Sequence, residues 1–282
     1  MTFLFFDLHD IMWLKVGDAM HINYAVFSKE EHTIFPYQLP FFTGEKVTFE
    51  TPVTILVGEN GTGKSTLIEL MNEVLKLPKI VGTTNHLEQD ILKEASKNVL
   101  IHRLHQKPKG FFFGAEDFTS YIHYLTYEKN ASKAELKRIE QEYKHRSEYA
   151  KGLASMPHNR TIHEIDGLHN RDLLSSSHGE AYLSFFTSRM KENQLYLLDE
   201  PETPLSIQNQ LSLLYLIDEA VKKNCQFIIA THSPVIMAMP NARVLSLSSE
   251  GIKEISYDEI ESVKLLKQFL NQKEQFFRHL FK

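Results

Sequence analysis

Gly58-Glu59-Asn60-Gly61-Thr62-Gly63-Lys64-Ser65 fills every position of the spacing G-x-x-x-x-G-K-[ST]. Each fixed residue type in that spacing answers a need of phosphate chemistry. Glycines let backbone N–H groups turn inward as an anion nest, a lysine reaches the β and γ phosphates, and a serine hydroxyl suits Mg²⁺. From Thr66 to Leu77 the run TLIELMNEVLKL spaces its apolar residues helically and stops at Pro78, so a helix starting near Lys64 adds its positive end to the same anion. Before the loop, Val53-Thr54-Ile55-Leu56-Val57 reads as a strand covered on both faces. Strand, glycine loop and helix in succession are the setting this motif requires. Gly58, Glu59, Asn60, Gly61, Thr62, Gly63, Lys64, Ser65 and Thr66 are therefore the candidate nucleotide-binding residues.

Such a loop needs a second acidic site to hold the metal and direct water. Leu195-Tyr196-Leu197-Leu198-Asp199-Glu200 is an apolar strand ending in two carboxylates. That end is where ligands of open α/β sheets bind. Asp199 is expected to support Mg²⁺ through water, alongside Ser65, and Glu200 to orient or deprotonate the attacking water.

The elements that must position these residues are legible in outline. Short strands are expected at Met12 to Val16, Ile22 to Phe27, Lys46 to Glu50 and Val53 to Val57, with a Pro-punctuated segment between the second and third. Further strands are expected at Leu195 to Leu198, Phe227 to Ala230 and Arg243 to Leu247. Helices follow at Ser206 to Lys222 and from Asp258 onward. The middle, about residues 84–174, is polar and helical in pattern. Between Glu128 and Lys151 it carries seven Lys or Arg against five Glu, a mixed-charge surface helix with apolar repeats too irregular for a coiled coil.

With 282 residues the chain fits two domains, or one large domain with an insertion. Lys plus Arg total 31 and Asp plus Glu 36, for a net charge of −5; 42% of residues are apolar and 24% charged. This composition excludes disordered and fibrous classes, and the acidic balance gives no global case for nucleic acid or membrane binding. The one cysteine, Cys225, precedes the apolar run Phe227-Ile228-Ile229-Ala230 and reads as a buried thiol in a reducing compartment. The opening MTFLFFDLHDIMWL lacks a basic leader and is broken by Asp7, His9 and Asp10, and no stretch reaches the length of a membrane span. A soluble, cytoplasmic protein is expected.

Four other groups carry weaker chemistry. His158, His163 and His169, near Glu164 and Asp166, suggest a metal, but their gaps suit no single helical face and a solvated loop is the preferred reading. His102, Arg103, His105, Lys107 and Lys109 form the densest basic group and read as a solvated face before a phosphate contact. Phe111 to Phe113, and Phe35 with Tyr37, read as core packing before base stacking.

Three segments beyond the loop resemble one family, the ABC-class ATPases. Ser177-His178-Gly179-Glu180 resembles their LSGGQ-type signature, departing from it at His178 and Glu180. Asp199-Glu200-Pro201 followed by Thr203-Pro204-Leu205-Ser206 resembles their Walker B and D-loop, and Ala230-Thr231-His232-Ser233-Pro234 their switch-histidine loop. Order and spacing agree over about residues 50–240. The DEPE, ATHSP and SHGE forms are less similar to transporter subunits than to soluble ATPases: small bacterial AAA/ABC-type proteins and the SMC, RecF and OLD relatives that act on DNA or in phage defence. The closing helix SYDEIESVKLLKQFLNQKEQFFRHLF resembles that of the small soluble group, and the missing coiled-coil arms exclude a chromosome-condensing SMC protein. No glutamine occupies the Q-loop place; Glu116 stands near it and is the candidate substitute metal contact.

The resemblance implies an α/β P-loop NTPase of the ABC-class head type. Residues 1–282 would form a single ATPase domain with N-terminal antiparallel strands and an inserted helical lobe at about residues 84–174. It implies ATP with Mg²⁺ as cofactors, Glu200 and His232 as catalytic residues, and a homodimer sandwiching two ATP molecules. In that dimer Ser177 and Gly179 of one subunit face the nucleotide of the other. A nuclease or toxin, or DNA, is the expected partner, with no membrane insertion. Two rivals stay open: an ATP-binding subunit of a membrane transporter, and an ATP-gated regulatory scaffold with little turnover.

Overall fold

The computed structural model of the chain describes residues 20–29, 34–79, 86–104, 107–167, 178–203 and 205–281. Its strands are β1 (Ile22–Phe27), β2 (Lys46–Thr48), β3 (Val53–Val57), β4 (Val99–Arg103), β5 (Gly110–Gly114), β6 (Leu195–Asp199), β7 (Gln226–Ala230), β8 (Arg243–Ser248) and β9 (Gly251–Glu254). Its helices are α1 (Lys64–Leu75), α2 (His86–Ala95), α3 (Ala115–Glu142), α4 (Glu148–Gly167), α5 (His178–Arg189), α6 (Ile207–Val221), α7 (Pro234–Met237) and α8 (Glu261–Leu280). The strand expected at Met12 to Val16 lies outside the described residues.

Two sheets divide the strands. The larger runs in the order β5-β6-β7-β3-β8-β9, parallel except for the β8–β9 pair. The smaller is antiparallel, in the order β2-β1-β4. The α/β class with N-terminal antiparallel strands therefore holds. Because strand side chains alternate between faces, each central strand feeds two cores. On one face Leu56, Leu197, Ile228 and Phe112 meet Leu67, Ile68 and Met71 of α1. On the other, Ile55, Leu198, Ile229 and Phe113 meet Tyr182, Phe185 and Phe186 of α5 and Leu213 and Ile217 of α6. All five residues of β3 and of β7 are buried, which is why these strands read as unbroken apolar runs.

Within the middle segment α2 comes first, residues 99–114 then give one strand to each sheet, and α3 and α4 pack on each other across a break at Tyr143 to Ser147. Phe111 to Phe113 belong to β5 and are buried, as core residues and not as an exposed aromatic platform. The mixed charges pair along the lobe surface, Arg138 with Glu142 and Arg160 with Glu164 at 2.8 Å each. His158 and His163 sit on α4, His169 and His105 lie outside the described residues, and His102 stacks on Tyr24 at 4.8 Å. Among the described residues no group of three or more His, Cys, Asp or Glu side chains is placed to hold a metal by itself, and no helix is long and apolar enough to cross a membrane. Cys225 is buried, its Sγ donating to the Lys191 carbonyl at 3.0 Å, and burial pushes the thiol pKa up.

One buried side chain ties the two sheets together. Gln226, at the start of β7, accepts from the Ile22 N–H at 2.9 Å and the His21 N–H at 2.8 Å, and donates to the Ile22 carbonyl at 3.0 Å. It is fully buried, so the three backbone groups have no water to turn to. Gln226→Leu keeps the volume and strands both amides. At about 1–3 kcal/mol per orphaned group, it is expected to lower unfolding free energy by about 2–5 kcal/mol. Urea denaturation against the parent checks this; a loss under about 1 kcal/mol would mean that the sheets are joined elsewhere.

Candidate functional site

The carboxyl ends of four parallel strands are held level by their register. Leu56 pairs with Ala230, Ala230 with Asp199, and Asp199 with Gly114. The residues that follow these strands, Gly58 onward, Glu200, Thr231 onward and Ala115 onward, therefore leave the sheet along one edge. The binding crevice of open parallel sheets lies at this edge.

The glycine loop takes its shape from close contacts. At Gly58, with φ of 150°, an added Cβ would come within 2.4 Å of the Leu247 carbonyl oxygen, so only glycine lets the loop leave β3 beside β8. At Gly63, with φ of 92°, it would come within 2.9 Å of Phe41 and 3.1 Å of Leu39, which press on the loop from the Pro-punctuated segment. Glu59, Asn60 and Gly61 are exposed at the tip, and Thr62 closes the turn by donating its hydroxyl to the Glu59 carbonyl at 2.9 Å. Helix α1 begins at Lys64, its first turn running through Ser65 and Thr66.

Lys64 is buried inside this loop. Its Nζ donates to the carbonyls of Gly58 at 3.0 Å and Glu59 at 2.9 Å. Burial pulls its pKa down, while the carboxylates Glu200, Asp199 and Glu202 pull it up. Ser65 donates its hydroxyl to Asp199 Oδ1 at 3.0 Å, joining the loop to the end of β6. Burial pushes the Asp199 pKa up to about 7, with the Ser65 hydrogen bond opposing and the charges of Glu200, Glu69 and Glu202 adding. The Ser65 hydroxyl and the Asp199 carboxylate are both hard oxygen donors, and Asp199 is a desolvated carboxylate near three others with the single ammonium of Lys64 facing them. That donor set fits Mg²⁺.

Glu200 sits in the left-handed region with φ of 47°, its N–H donating to the Ala230 carbonyl at 2.9 Å. This uncommon backbone for a non-glycine residue turns the chain sharply after β6. Its Oε1 lies 3.8 Å from His232 Nε2, and both side chains are partly open to solvent. Lys64, Ser65, Asp199, Glu200 and His232 thus gather at one edge. Glu116 is exposed on the first turn of α3, directly after the end of β5, and among the described residues no hydrogen bond links it to Ser65 or Asp199. Its neighbour Asp117 turns inward to Lys79 at 3.2 Å, and Lys79 also meets Glu69 at 3.3 Å. Ser177 lies outside the described residues, and Gly179 falls in the first turn of α5.

Sequence reasoning missed Glu202. Its Oε1 accepts from the backbone N–H of His232 at 2.6 Å and of Ser233 at 3.1 Å. The only trace in the sequence is an acidic residue two places beyond Glu200.

A family profile described as "AAA domain, putative AbiEii toxin, Type IV TA system" matches residues 85–238, more than half of the chain. The chain belongs to this AAA domain family. The matched segment includes Asp199, Glu200, Glu202 and His232, and begins beyond the glycine loop. A Pyrococcus furiosus protein named "Putative ABC transporter ATP-binding protein" is 24% identical to this AAA domain chain over 215 residues, 76% of each. A Helicobacter pylori protein named "Probable iron chelatin transport ATP-binding protein" is 22% identical over 216 residues, 74% of this chain and 78% of its own. The solved Smc head domain of Pyrococcus furiosus aligns with a TM-score of 0.45 at 13% identity, over 89% of this chain and 99% of that one. The resemblance to ABC-class P-loop ATPases drawn from the motifs holds at the level of family.

The raised Asp199 pKa has a definite sign in stability. An unfolded aspartate ionises near pH 4 and the folded one near pH 7, so between those values the folded state holds the extra proton. Without nucleotide or divalent cation, stability is expected to fall as pH rises from about 4 to about 7, by at most about 1.4 kcal/mol for each step of one in pH. Asp199→Asn should flatten this slope and raise the melting temperature at pH 8. Thermal unfolding in chelator from about pH 4.5 to 8 checks it; parallel curves for both proteins would refute the burial of an uncompensated carboxylate.

Proposed function

We propose that this protein binds ATP with Mg²⁺ and hydrolyses it, working as a homodimer that drives or regulates a partner. The observation that carries the reading is the meeting, at one sheet edge, of the buried Lys64, the Ser65–Asp199 pair and the Glu200–His232 pair. In this reading Lys64 exchanges its two loop carbonyls for oxygens of the β and γ phosphates, and the backbone N–H groups of Gly61 to Ser65 cradle the same chain. Ser65 and Asp199 would hold Mg²⁺, which when bound would neutralise phosphate charge. Glu200 orients a water in line with the γ phosphorus and takes its proton as the new P–O bond forms and the bond to ADP breaks. His232, facing Glu200, donates to the γ phosphate as charge builds in the transition state.

Ser177 and Gly179 of a second copy would close the site over the nucleotide, giving a two-fold dimer around two ATP molecules. The family description names a "putative AbiEii toxin" of a type IV toxin–antitoxin system, which supports a toxin as the controlled partner; a nuclease or DNA as partner and a cytoplasmic setting belong to the same proposal. A second reading has its own support: the two relatives above are named as ATP-binding proteins of transport. It requires association with a membrane, so full recovery of a tagged protein in the soluble fraction would remove it.

Lys64→Ala is expected to weaken ATP binding by about 2–3 kcal/mol with the fold retained, as titration calorimetry would read. His232→Ala should lower kcat far more than it raises the ATP dissociation constant, because its contact strengthens in the transition state. Glu200→Gln should trap ATP and shift the protein to a dimer in Mg²⁺ and ATP, and adding Ser177→Arg should return it to monomer. Light scattering decides this last point: a mass indifferent to ATP in both variants would sink the sandwich dimer.

A further inference from the structure

Two carboxylates leave the end of β6 in one turn and grip the same histidine from two sides. Glu200 Oε1 faces the imidazole, 3.8 Å from Nε2. Glu202 Oε1 takes the main chain, accepting from the His232 N–H at 2.6 Å and the Ser233 N–H at 3.1 Å. The Ser233 N–H has a second acceptor in Thr231 Oγ1 at 3.0 Å, whereas the His232 N–H has Glu202. Among the described residues Glu202 Oε2 is buried with no hydrogen-bond partner. A half-satisfied carboxylate is a costly group to bury, and its retention calls for an explanation beyond packing. Around it the loop is anchored further: the Ser233 hydroxyl donates to Gln210 Oε1 of α6 at 2.6 Å and accepts from the N–H groups of Val235 and Ile236, capping α7.

We propose that Glu202 is a positioning residue that fixes the His232 main chain to the turn carrying Asp199 and Glu200, so that the imidazole and the Glu200 carboxylate keep their facing arrangement, with Gln210 extending the hold to α6. The inference deepens the hydrolytic reading above and rests on it for its kinetic consequence, while the geometry of the hold stands independently. A carboxylate accepting from two backbone amides makes charge-assisted bonds, stronger and shorter than neutral ones. Without them the chain from Thr231 to Ser233 keeps the Thr231 N–H bond to the Leu56 carbonyl at 3.2 Å on one side of His232 and the Ser233 anchors on the other. His232 then samples positions away from Glu200, and a displacement of about 1 Å at such a group can cost about 100-fold in rate. Nucleotide affinity, resting on Lys64 and the loop amides, should stay in place.

Two measurements on the full-length chain test this. In nucleotide-free protein, amide hydrogen exchange at His232 should speed up at least about tenfold in Glu202→Ala and in Glu202→Asp, whose carboxylate is one methylene too short. Glu202→Gln, which keeps a carbonyl acceptor at the same reach, should retain protection. In ATP turnover, Glu202→Ala and Glu202→Asp should lose about 10–100-fold in kcat with KM for ATP within about twofold, and Glu202→Gln should recover most of the rate. Using two shortened variants keeps the test open should one fail to fold. Unchanged exchange at His232 in the shortened variants overturns the hold itself. Faster exchange with an unchanged kcat overturns its role in positioning. Wild-type protein that turns over no ATP would instead defeat the hydrolytic reading, and the exchange result would still decide whether Glu202 holds the loop.

Discussion

The in-register parallel pairing of β5, β6, β7 and β3 is the constraint on which everything at the candidate site depends. Leu56, Ala230, Asp199 and Gly114 stand in one row across the sheet, so four loops begin at the same height. A slip of one residue in any pair would send that strand's side chains to the wrong core and carry its terminal group a full residue along the edge. The two cores forbid the slip, because alternate residues of each strand are committed to opposite faces. Packing far from any ligand thereby sets the 3.0 Å meeting of Ser65 with Asp199.

Electrostatics at that edge is lopsided. One buried ammonium, Lys64, faces Asp199, Glu200 and Glu202, and Glu69 adds its charge at Asp199. On the proposed reading, such a site would repel a bare polyphosphate and accept one that brings a divalent cation with it, since the cation would supply what the carboxylates lack. This lysine is also already engaged, with two of its three N–H groups on the loop's own carbonyls. A nucleotide has to offer better acceptors than these, which favours oxygens carrying full charge.

Much of this is legible in the sequence where one residue's surroundings follow from its neighbours in the chain. The strands β3, β6 and β7 announce themselves because buried parallel strands need nearly unbroken apolar runs, and the glycine loop because its backbone admits few other residues. The helix α6 also falls within a residue of its expected ends. What stays hidden depends on distant pairing. Residues 99–103 and 110–114 sit in a polar stretch and become strands only beside β1 and β6, while β9 needs β8 to fold back upon. The mixed-charge surface helix expected between Glu128 and Lys151 breaks at Tyr143 because α4 returns along α3. Spacing alone favours Glu116 over Asp117, yet Asp117 turns inward to Lys79. Glu202 gives no sign, since its partners lie 30 and 31 residues further on.

The strand order has a consequence for how the chain is made. β3, which delivers the glycine loop, has β7 and β8 as its lateral neighbours, and both follow it by a long way in sequence. On the ribosome β3 emerges before either of its two sheet neighbours, and at ordinary translation speeds about 170 residues, or about 10–35 s, separate it from β7. Through that interval a strand built for complete burial and its phosphate loop exist without their sheet. The nascent chain must therefore shelter Val53 to Val57 by other means, such as α1 folding back over it or a chaperone, and any nucleotide contact waits until the last third of the chain has been synthesised.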